Sequence, residues 1–260
     1  MAFSLGSRAA SAGYRLEAFD RIGSTNAEAL ARARAGEGGA LWFVTSEQTA
    51  GRGRRHRPWI APRGNLAASI LEVMAVPPAE AATLGFAAGL TVLAALRSAG
   101  SDEIAFALKW PNDVMVNGEK LAGILLEAET VGSRLAVVVG IGVNVIAAPE
   151  GTPVPATSLN ALGIHVSAEQ LFEGLSDAWA EFRGIWNDGR GFAEIRRRWL
   201  ERAAGLGGPV SIVSGGSTVT GSFDTIDEIG CMIVRTSDGS RVPISAGDVY
   251  FGAAASVGAA

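Results

Sequence analysis

Lysine is nearly absent from this 260-residue chain: of its 22 basic residues only Lys109 and Lys120 are lysine. Arginine carries the positive charge everywhere else, so two retained ammonium groups point to a task that a compact, mobile point charge does better than a planar guanidinium. Cysteine is reduced to Cys231, which excludes an internal disulfide framework and fits a reducing cytoplasm. Apolar runs are 4 to 10 residues long and broken by Gly, Pro or charge. They fall short of the roughly 18 residues of a membrane span, so no membrane partner is expected. The first thirteen residues hold one arginine and no apolar stretch of useful length, and read as a short flexible tail (1–13) rather than a signal peptide. Positive charge is not in excess either. A net charge of -4 argues against DNA or general nucleic-acid binding, which depends on a basic surface, and leaves any anionic ligand to meet a local cluster.

What is present is a globular composition, 48% hydrophobic and 18% charged. Residues 14 to 19 alternate apolar and polar as a half-buried strand does. Ser24-Thr25-Asn26 then precedes an alanine-rich helix ended by Gly36, with Ser24 or Thr25 placed to cap it and Glu28 available as a capping-box partner. Capping is the ordinary role of such a triplet. The same hydroxyls and amide, beside free helix-start N–H groups, would also offer a neutral polar ligand both donors and acceptors. Leu41 to Thr45 reads as a buried strand, and the loop after it holds four arginines, two glycines and a histidine at 51 to 57. With no apolar side chain to bury, this loop is expected to be mobile until an anion organises it. G-R-G-R-R-H lacks the final glycine of a dinucleotide fingerprint, and no P-loop pattern occurs. His56 reads as a loop donor rather than a metal ligand, since the other histidine is distant His165. A strand over 65 to 74 and one helix over 77 to 99, with Leu84, Ala88, Val92, Ala95 and Leu96 as its buried face, come next.

The stretch K-W-P-N-D-V-M-V-N-G-E-K-L-A-G-I-L-L-E (109 to 127) ends one strand at Pro111, starts a second at Asp113 and turns at Asn117-Gly118, a type I′ hairpin signal. Lys120 heads the return strand and Asp113 heads its partner, so the two are expected near the same end of the sheet. Residues 134 to 145 form a further buried strand in which Gly140 and Gly142 leave room for a ligand or a neighbouring backbone, and Asn144 needs a partner. Ser167 caps an amphipathic helix whose face of Leu171, Leu175, Ala178, Trp179, Phe182, Ile185 and Trp186 is core. A second helix around Phe192, Ile195 and Trp199 carries Arg196 to Arg198 as a solvated face. After the G-L-G-G-P linker at 205 to 209, four short strands separated by Gly-rich turns suggest a β-barrel of about 45 residues. Residues 253 to 260 read as a tail.

Mobile arginines, a lone lysine and an aspartate at strand heads, and a neutral hydrogen-bonding triplet suit the joining of a carboxylate to a nucleotide α-phosphate. Both reactants are anions; unit charges about 4 Å apart repel by roughly 4 kcal/mol at an effective dielectric near 20, which one ammonium at Lys120 offsets. Arginines closing over the site add hydrogen bonds of about 1.5–3 kcal/mol each and exclude water. Asp113 could hold Mg²⁺, which favours one or two carboxylates plus phosphate oxygens. No Ser-His-Asp or Cys-His arrangement offers itself, so hydrolytic covalent catalysis is not expected.

With G-S-T-N at 23 to 26, G-R-G-R-R-x-R-x-W at 51 to 59, K-W-P-N-D at 109 to 113, K-L-A-G-I-L-L-E at 120 to 127 and G-I-G-V-N-V at 140 to 145, the chain resembles the biotin protein ligases. These enzymes adenylate biotin and pass it to a lysine of a biotin carboxyl carrier protein. The resemblance implies an α+β fold, a mixed and largely antiparallel sheet flanked by helices of the class II synthetase and biotin-lipoate ligase kind (14–204), followed by a small SH3-like β-barrel (205–252). It implies that Ser24, Thr25, Asn26 and Gln48 hold the biotin rings, with Gly123 on the same side. Gly51, Arg52, Gly53 and Arg54 would close over biotin and its adenylate, and Lys120 would contact the biotin carboxylate and the α-phosphate. Trp59 would pack near the adenine, with Arg55, Asn112, Asp113 and Asn144 serving ATP, and Asp113 its Mg²⁺. A carrier from acetyl-CoA carboxylase or a related carboxylase is the implied partner, with the enzyme a monomer or homodimer. His56 stands where many members have Gly, and should stiffen the loop. No winged-helix domain precedes residue 14, so repressor activity is not expected. Lipoate or octanoate ligation is the alternative within this chemistry; an RNA-contacting protein using the arginine loop is the alternative outside it.

Overall fold

The computed structural model describes residues 2–100, 103–152 and 154–251, so the tail expected at 253–260 lies outside the described residues. Seven strands form the main sheet: β1 (Arg15–Phe19), β2 (Leu41–Thr45), β3 (Leu66–Met74), β4 (Phe106–Lys109), β5 (Asp113–Val116), β6 (Glu119–Val131) and β7 (Arg134–Val143). Their order is β1-β2-β3-β7-β6-β5-β4, and only the β1/β2 pair is parallel. A parallel pair needs a crossover, which α2 (Thr25–Arg34) supplies. Asn117 and Gly118 both take positive φ, 51° and 82°, as the expected hairpin turn requires.

Both faces of the sheet are covered, which is why Leu41–Thr45 shows no polar alternation. Phe43, Leu71, Ala136 and Val138 pack with Ala29 and Ala33 of α2 in a small cluster. Trp42, Ile70, Val137 and Val139 point the other way, into the main core beneath α4 (Leu84–Ser98), α5 (Ala168–Trp186) and α6 (Phe192–Leu200). There Trp42 meets Phe172 and Trp179 edge-on, at 5.4 and 6.1 Å between centroids. Ser167 and Gln170 form a complete capping box at the start of α5. Helix α2 is short and covers only part of its face, leaving the sheet beyond its N-terminus open.

Four expectations change. Residues 1–13 are not a free tail: helix α1 (Ser7–Ser11) docks on α5, with Ala9 fully buried, Gly6 N–H donating to Ser176 Oγ (2.9 Å) and Ala9 N–H to Asp177 Oδ1 (2.8 Å). The helix read over 77–99 is two, α3 (Pro78–Ala82) and α4, divided at Thr83, whose hydroxyl folds back to Glu80 O (2.6 Å) and accepts from Trp186 Nε1 (2.7 Å). Together, Pro78–Ser98 run 21 residues at hydropathy 1.6, long and apolar enough by composition to cross a membrane, contrary to the short-run count. Alanine and glycine keep that stretch apolar without a continuous large-residue run, and 72% of its most apolar 18-residue window is buried inside the fold. The C-terminal sheet has five strands rather than four: β8 (Pro209–Ser214), β9 (Ser217–Ile226), β10 (Met232–Arg235), β11 (Arg241–Ile244) and β12 (Asp248–Phe251), ordered β11-β10-β9-β8-β12. The unexpected β12 is only four residues, too short to show its period in sequence, and pairs antiparallel with β8.

One buried carboxylate crosses the main core. Glu72 on β3 accepts from Trp179 Nε1 (3.0 Å) and Tyr14 OH (3.2 Å), with Arg183 Nε 3.5 Å away. Burial raises its pKa above 4.5, against the pull of Arg183. A raised folded-state pKa gives stability that is complete below the unfolded value and is lost as pH rises through the folded one. Thermal melts between pH 4 and pH 8 should therefore show Glu72→Gln gaining on the wild type as pH rises, by about 2–4 °C for each kcal/mol in a chain of this size. A gap that stays constant across the range would refute the assignment.

Candidate active site

The open part of the α2 face becomes a cavity of about 480 Å³, within the usual size range of small-molecule sites. At one end stands the start of α2. Ser24 is the N-cap, its Oγ accepting from Ala27 N–H (3.4 Å), so Glu28 falls one position beyond the capping box and pairs with Arg32 instead. Thr25 and Asn26 then occupy the first helical positions, where N–H groups lack intrahelical partners. Gln48 Oε1 accepts from Thr25 N–H (2.8 Å) and Thr25 Oγ1 (3.1 Å). Ser69 Oγ lies 2.7 Å from Thr25 Oγ1 and donates to Asn26 Oδ1 at 2.6 Å, while Asn26 Nδ2 donates to Glu127 Oε2 at 2.8 Å. This is a neutral polar pocket, held rigid by its own hydrogen bonds.

Glycine makes the floor. Gly140 lies so close to Asn26 that a Cβ there would be 2.2 Å from Asn26 Oδ1. Gly123 and Gly142 face each other across β6 and β7, and Trp59 lies on them: a Cβ on Gly142 would meet the indole at 2.6 Å, and one on Gly123 would meet it at 3.0 Å. The room expected at Gly140 and Gly142 is thus filled by two side chains of the chain itself. Lys120 Nζ sits 5.5 Å from the Trp59 ring centroid.

The arginine loop closes over this floor. Arg52 reaches Glu127 (3.2 Å), Arg54 Nη1 donates to Asn112 Oδ1 (3.0 Å), and Arg55 and Arg57 both pair with Asp248 of β12, at 2.6 and 3.0 Å. Carboxylates of the chain itself, Glu127 and Asp248, thus stand among the loop's arginines. Burial, with Arg55 beside it, pushes the Arg54 guanidinium below its ordinary pKa.

Lys120 Nζ lies 2.6 Å from Asp113 Oδ1. The pair meets as expected but for another reason, since antiparallel strands put their heads at opposite ends. Strand β5 is only four residues long and its register sets Lys120 opposite Met115, two residues from Asp113, within reach of a lysine side chain. The Lys120 backbone is fixed on its far side by Pro155 O (2.7 Å) and Thr157 N–H (3.0 Å). Asn112 Nδ2 donates to Ile124 O (2.8 Å) and Asn144 Nδ2 to Thr157 O (3.0 Å), leaving Asn144 Oδ1 buried with no partner. A buried acceptor left this way calls for a donor. For a magnesium ion, Asp113 fits as a single carboxylate whose remaining ligands would be nucleotide oxygens; no group of three acidic, His or Cys ligands exists among the described residues.

Of the residues singled out in sequence, Ser24, Thr25, Asn26, Gln48, Arg52, Gly53, Arg54, Arg55, Trp59, Asn112, Asp113, Lys120, Gly123 and Asn144 line the cavity. Gly51 stands behind it, packed where a Cβ would be 2.5 Å from Trp59 O. Lys109, Asp248 and Tyr250 also line it, and Ser69 and Glu127 brace it, though sequence reasoning gave none of the five a place in the site. Lysine scarcity was a signal for Lys109, whose ammonium lies 5.8 Å from the Phe251 ring centroid and has its pKa lowered by burial. Glu127 closes the K-L-A-G-I-L-L-E stretch; no sequence signal marked Ser69, Asp248 or Tyr250.

Comparison with known proteins agrees with the geometry. The Biotin/lipoate A/B protein ligase family model matches residues 19–144, and the Biotin protein ligase C terminal domain model matches 205–252. The biotin-(acetyl-CoA-carboxylase) ligase of Paracoccus denitrificans is 41% identical over 239 residues, 89% of this chain and 98% of that relative. The ligase of that name from Mycobacterium tuberculosis is 36% identical over 249 residues, 92% of this chain and 90% of its own. The solved biotin protein ligase from Aquifex aeolicus in complex with biotin and ATP superimposes with a TM-score of 0.76 at 26% identity, covering 92% of this chain and 99% of that one. With an acid–ammonium pair, an arginine lid and a neutral polar pocket around one cavity, and with relatives matched almost end to end, the chain belongs to the biotin protein ligase family.

Proposed function

We propose that the chain activates biotin with ATP to biotinyl-5′-AMP and transfers the biotinyl group to a lysine of a carboxyl carrier protein of acetyl-CoA carboxylase or a related carboxylase. The observation that carries this is Lys120, the ammonium held 2.6 Å from Asp113 inside a cavity with a neutral polar pocket at one end and arginines at the other. Ser24, Thr25, Asn26 and Gln48 take the ureido ring, with Arg52 and Gly53 closing above it, Gly51 supporting the loop from behind and Gly123 in the floor under Trp59. Lys120 exchanges its Asp113 contact for the biotin carboxylate and the α-phosphate. A carboxylate oxygen then bonds to the α-phosphorus and pyrophosphate leaves. In the second step the carrier lysine's neutral amine attacks the acyl carbon and AMP leaves, taking the bonding pair of the acyl–oxygen bond, while the amine proton passes to solvent. Arg54 and Asn112 hold the phosphate side, Arg55 adds charge there, Trp59 packs against the adenine and Asn144 Oδ1 accepts from the nucleotide. Asp113 would hold a magnesium ion, which supplies charge neutralisation of the phosphates when bound.

Residues 14–204 would form the catalytic unit and 205–252 the smaller one, in a cytoplasmic enzyme. A lipoyl dithiolane offers no N–H or C=O to Thr25, Asn26 and Gln48, so it gains nothing from a pocket built of hydrogen-bonding groups. An RNA-contacting role is disfavoured, because Arg52, Arg55 and Arg57 are paired with carboxylates of this chain.

Mixing the protein with ATP, Mg²⁺ and either biotin or lipoate, then reading the acyl-adenylate by mass spectrometry, tests the reading; adenylate from lipoate alone would sink it. Lys120→Ala should lower biotin-dependent ATP–pyrophosphate exchange by about 10³-fold, the equivalent of roughly 4 kcal/mol, with the fold intact. Exchange within about twofold of wild type would count against the assigned role. Arg54→Gly removes the contact to Asn112 and should release biotinyl-adenylate into solution and label bystander lysines; labelling confined to the carrier would contradict it.

A further inference from the structure

We propose that Asp248, on β12 of the C-terminal sheet, is the latch that holds the arginine loop shut over the cavity, making the small sheet a positioning element for the site on the large one. The loop between 51 and 57 has no apolar side chain, so polar contacts alone hold it. Within itself it has Gly53 N–H to Arg57 O (2.7 Å) and Arg57 N–H to Arg54 O (3.2 Å). Of the four arginine contacts that tie it down, two converge on one oxygen, Asp248 Oδ2. That carboxylate stands on a fixed platform, because Asp248 is paired with Val213 in the β8/β12 ladder. Arg55 also holds φ 55° and ψ 37°, a left-handed conformation that a residue with a side chain adopts only when its surroundings enforce it. Asp248 is the carboxylate that pairs with the side chain of this residue.

The strength of the contact suits a latch rather than a weld. Arg55, Arg57 and Asp248 keep 43%, 62% and 29% of their side-chain surface exposed, and pairs this wet are weak and sensitive to salt. Losing both should raise the open population about three- to tenfold. Where the site makes an adenylate, an open loop lets it escape; this last consequence alone rests on the function proposed above.

Limited trypsinolysis of the full chain reads the latch directly, since the bonds after Arg52, Arg54 and Arg55 are cleavable only when the loop opens. Asp248→Asn should be cut there about three- to tenfold faster than wild type, Asp248→Glu should stay within about twofold of wild type, and their thermal melts should match. Raising salt from about 0.05 to 1 M should speed cleavage of the wild-type loop toward the Asp248→Asn rate and leave that variant little changed, each corrected for trypsin activity on a free peptide. Cleavage of Asp248→Asn at the wild-type rate, equal acceleration in Asp248→Glu, or a salt-insensitive wild type would each overturn the latch. In parallel, Asp248→Asn should release biotinyl-adenylate faster in a trap assay. If the wild type forms no adenylate, the functional reading fails while the proteolysis still decides the latch.

Discussion

Holding cations in a half-buried cavity is the constraint on which this structure turns. Six basic side chains line it, Arg52, Arg54, Arg55, Arg57, Lys109 and Lys120, against two carboxylates, Asp113 and Asp248. A chain of net charge -4 thus gathers a local excess of positive charge, which costs desolvation and mutual repulsion unless carboxylates stand among the cations. Asp113 does this for Lys120, Asp248 for Arg55 and Arg57, and Glu127, from the cavity's edge, for Arg52. Carboxylates placed among the cations let the excess of positive charge be held without a ligand.

The floor meets a second demand, close approach. A sheet face with ordinary side chains would stand off any ring by the height of a Cβ and more. Removing the Cβ at Gly123, Gly140 and Gly142 lets Trp59 and Asn26 sink against the backbone. Those two side chains come from the loop and from the start of α2, so the bare patch is where lid and polar pocket meet. Helix α2 is short enough to leave that patch uncovered, and its N-terminal turn supplies the pocket at the boundary.

Much of this was legible in the chain. Two-residue alternation and the Asn117-Gly118 turn marked the strands, Ser167 marked the start of α5, and the rarity of lysine picked out Lys109 and Lys120 before any geometry was available. The N-terminal segment was not legible, because Phe3, Leu5 and Ala9 are too few and too irregularly spaced to show a period, and their partners, Phe172 among them, lie far along the chain. Nor was β12, where four residues are too few to display a period. The two-helix break at Thr83 was hidden because its hydroxyl bonds turn on Trp186, 103 residues away.

What the sequence by itself determined is local: which segments could be strand or helix, where the chain must turn, and which residues carry charge or hydrogen-bonding groups suited to joining two anions. Those properties depend on neighbours within a few residues, and periodicity and side-chain chemistry record them. Tertiary structure alone decided that Asp248 meets Arg55 and Arg57 across 193 and 191 residues, that Ser69 and Glu127 brace Asn26, and that Trp59 fills the glycine floor. Those meetings follow from the register of β6 on β7 and of β12 on β8. Register is set by packing over the whole sheet, which no short window of sequence contains.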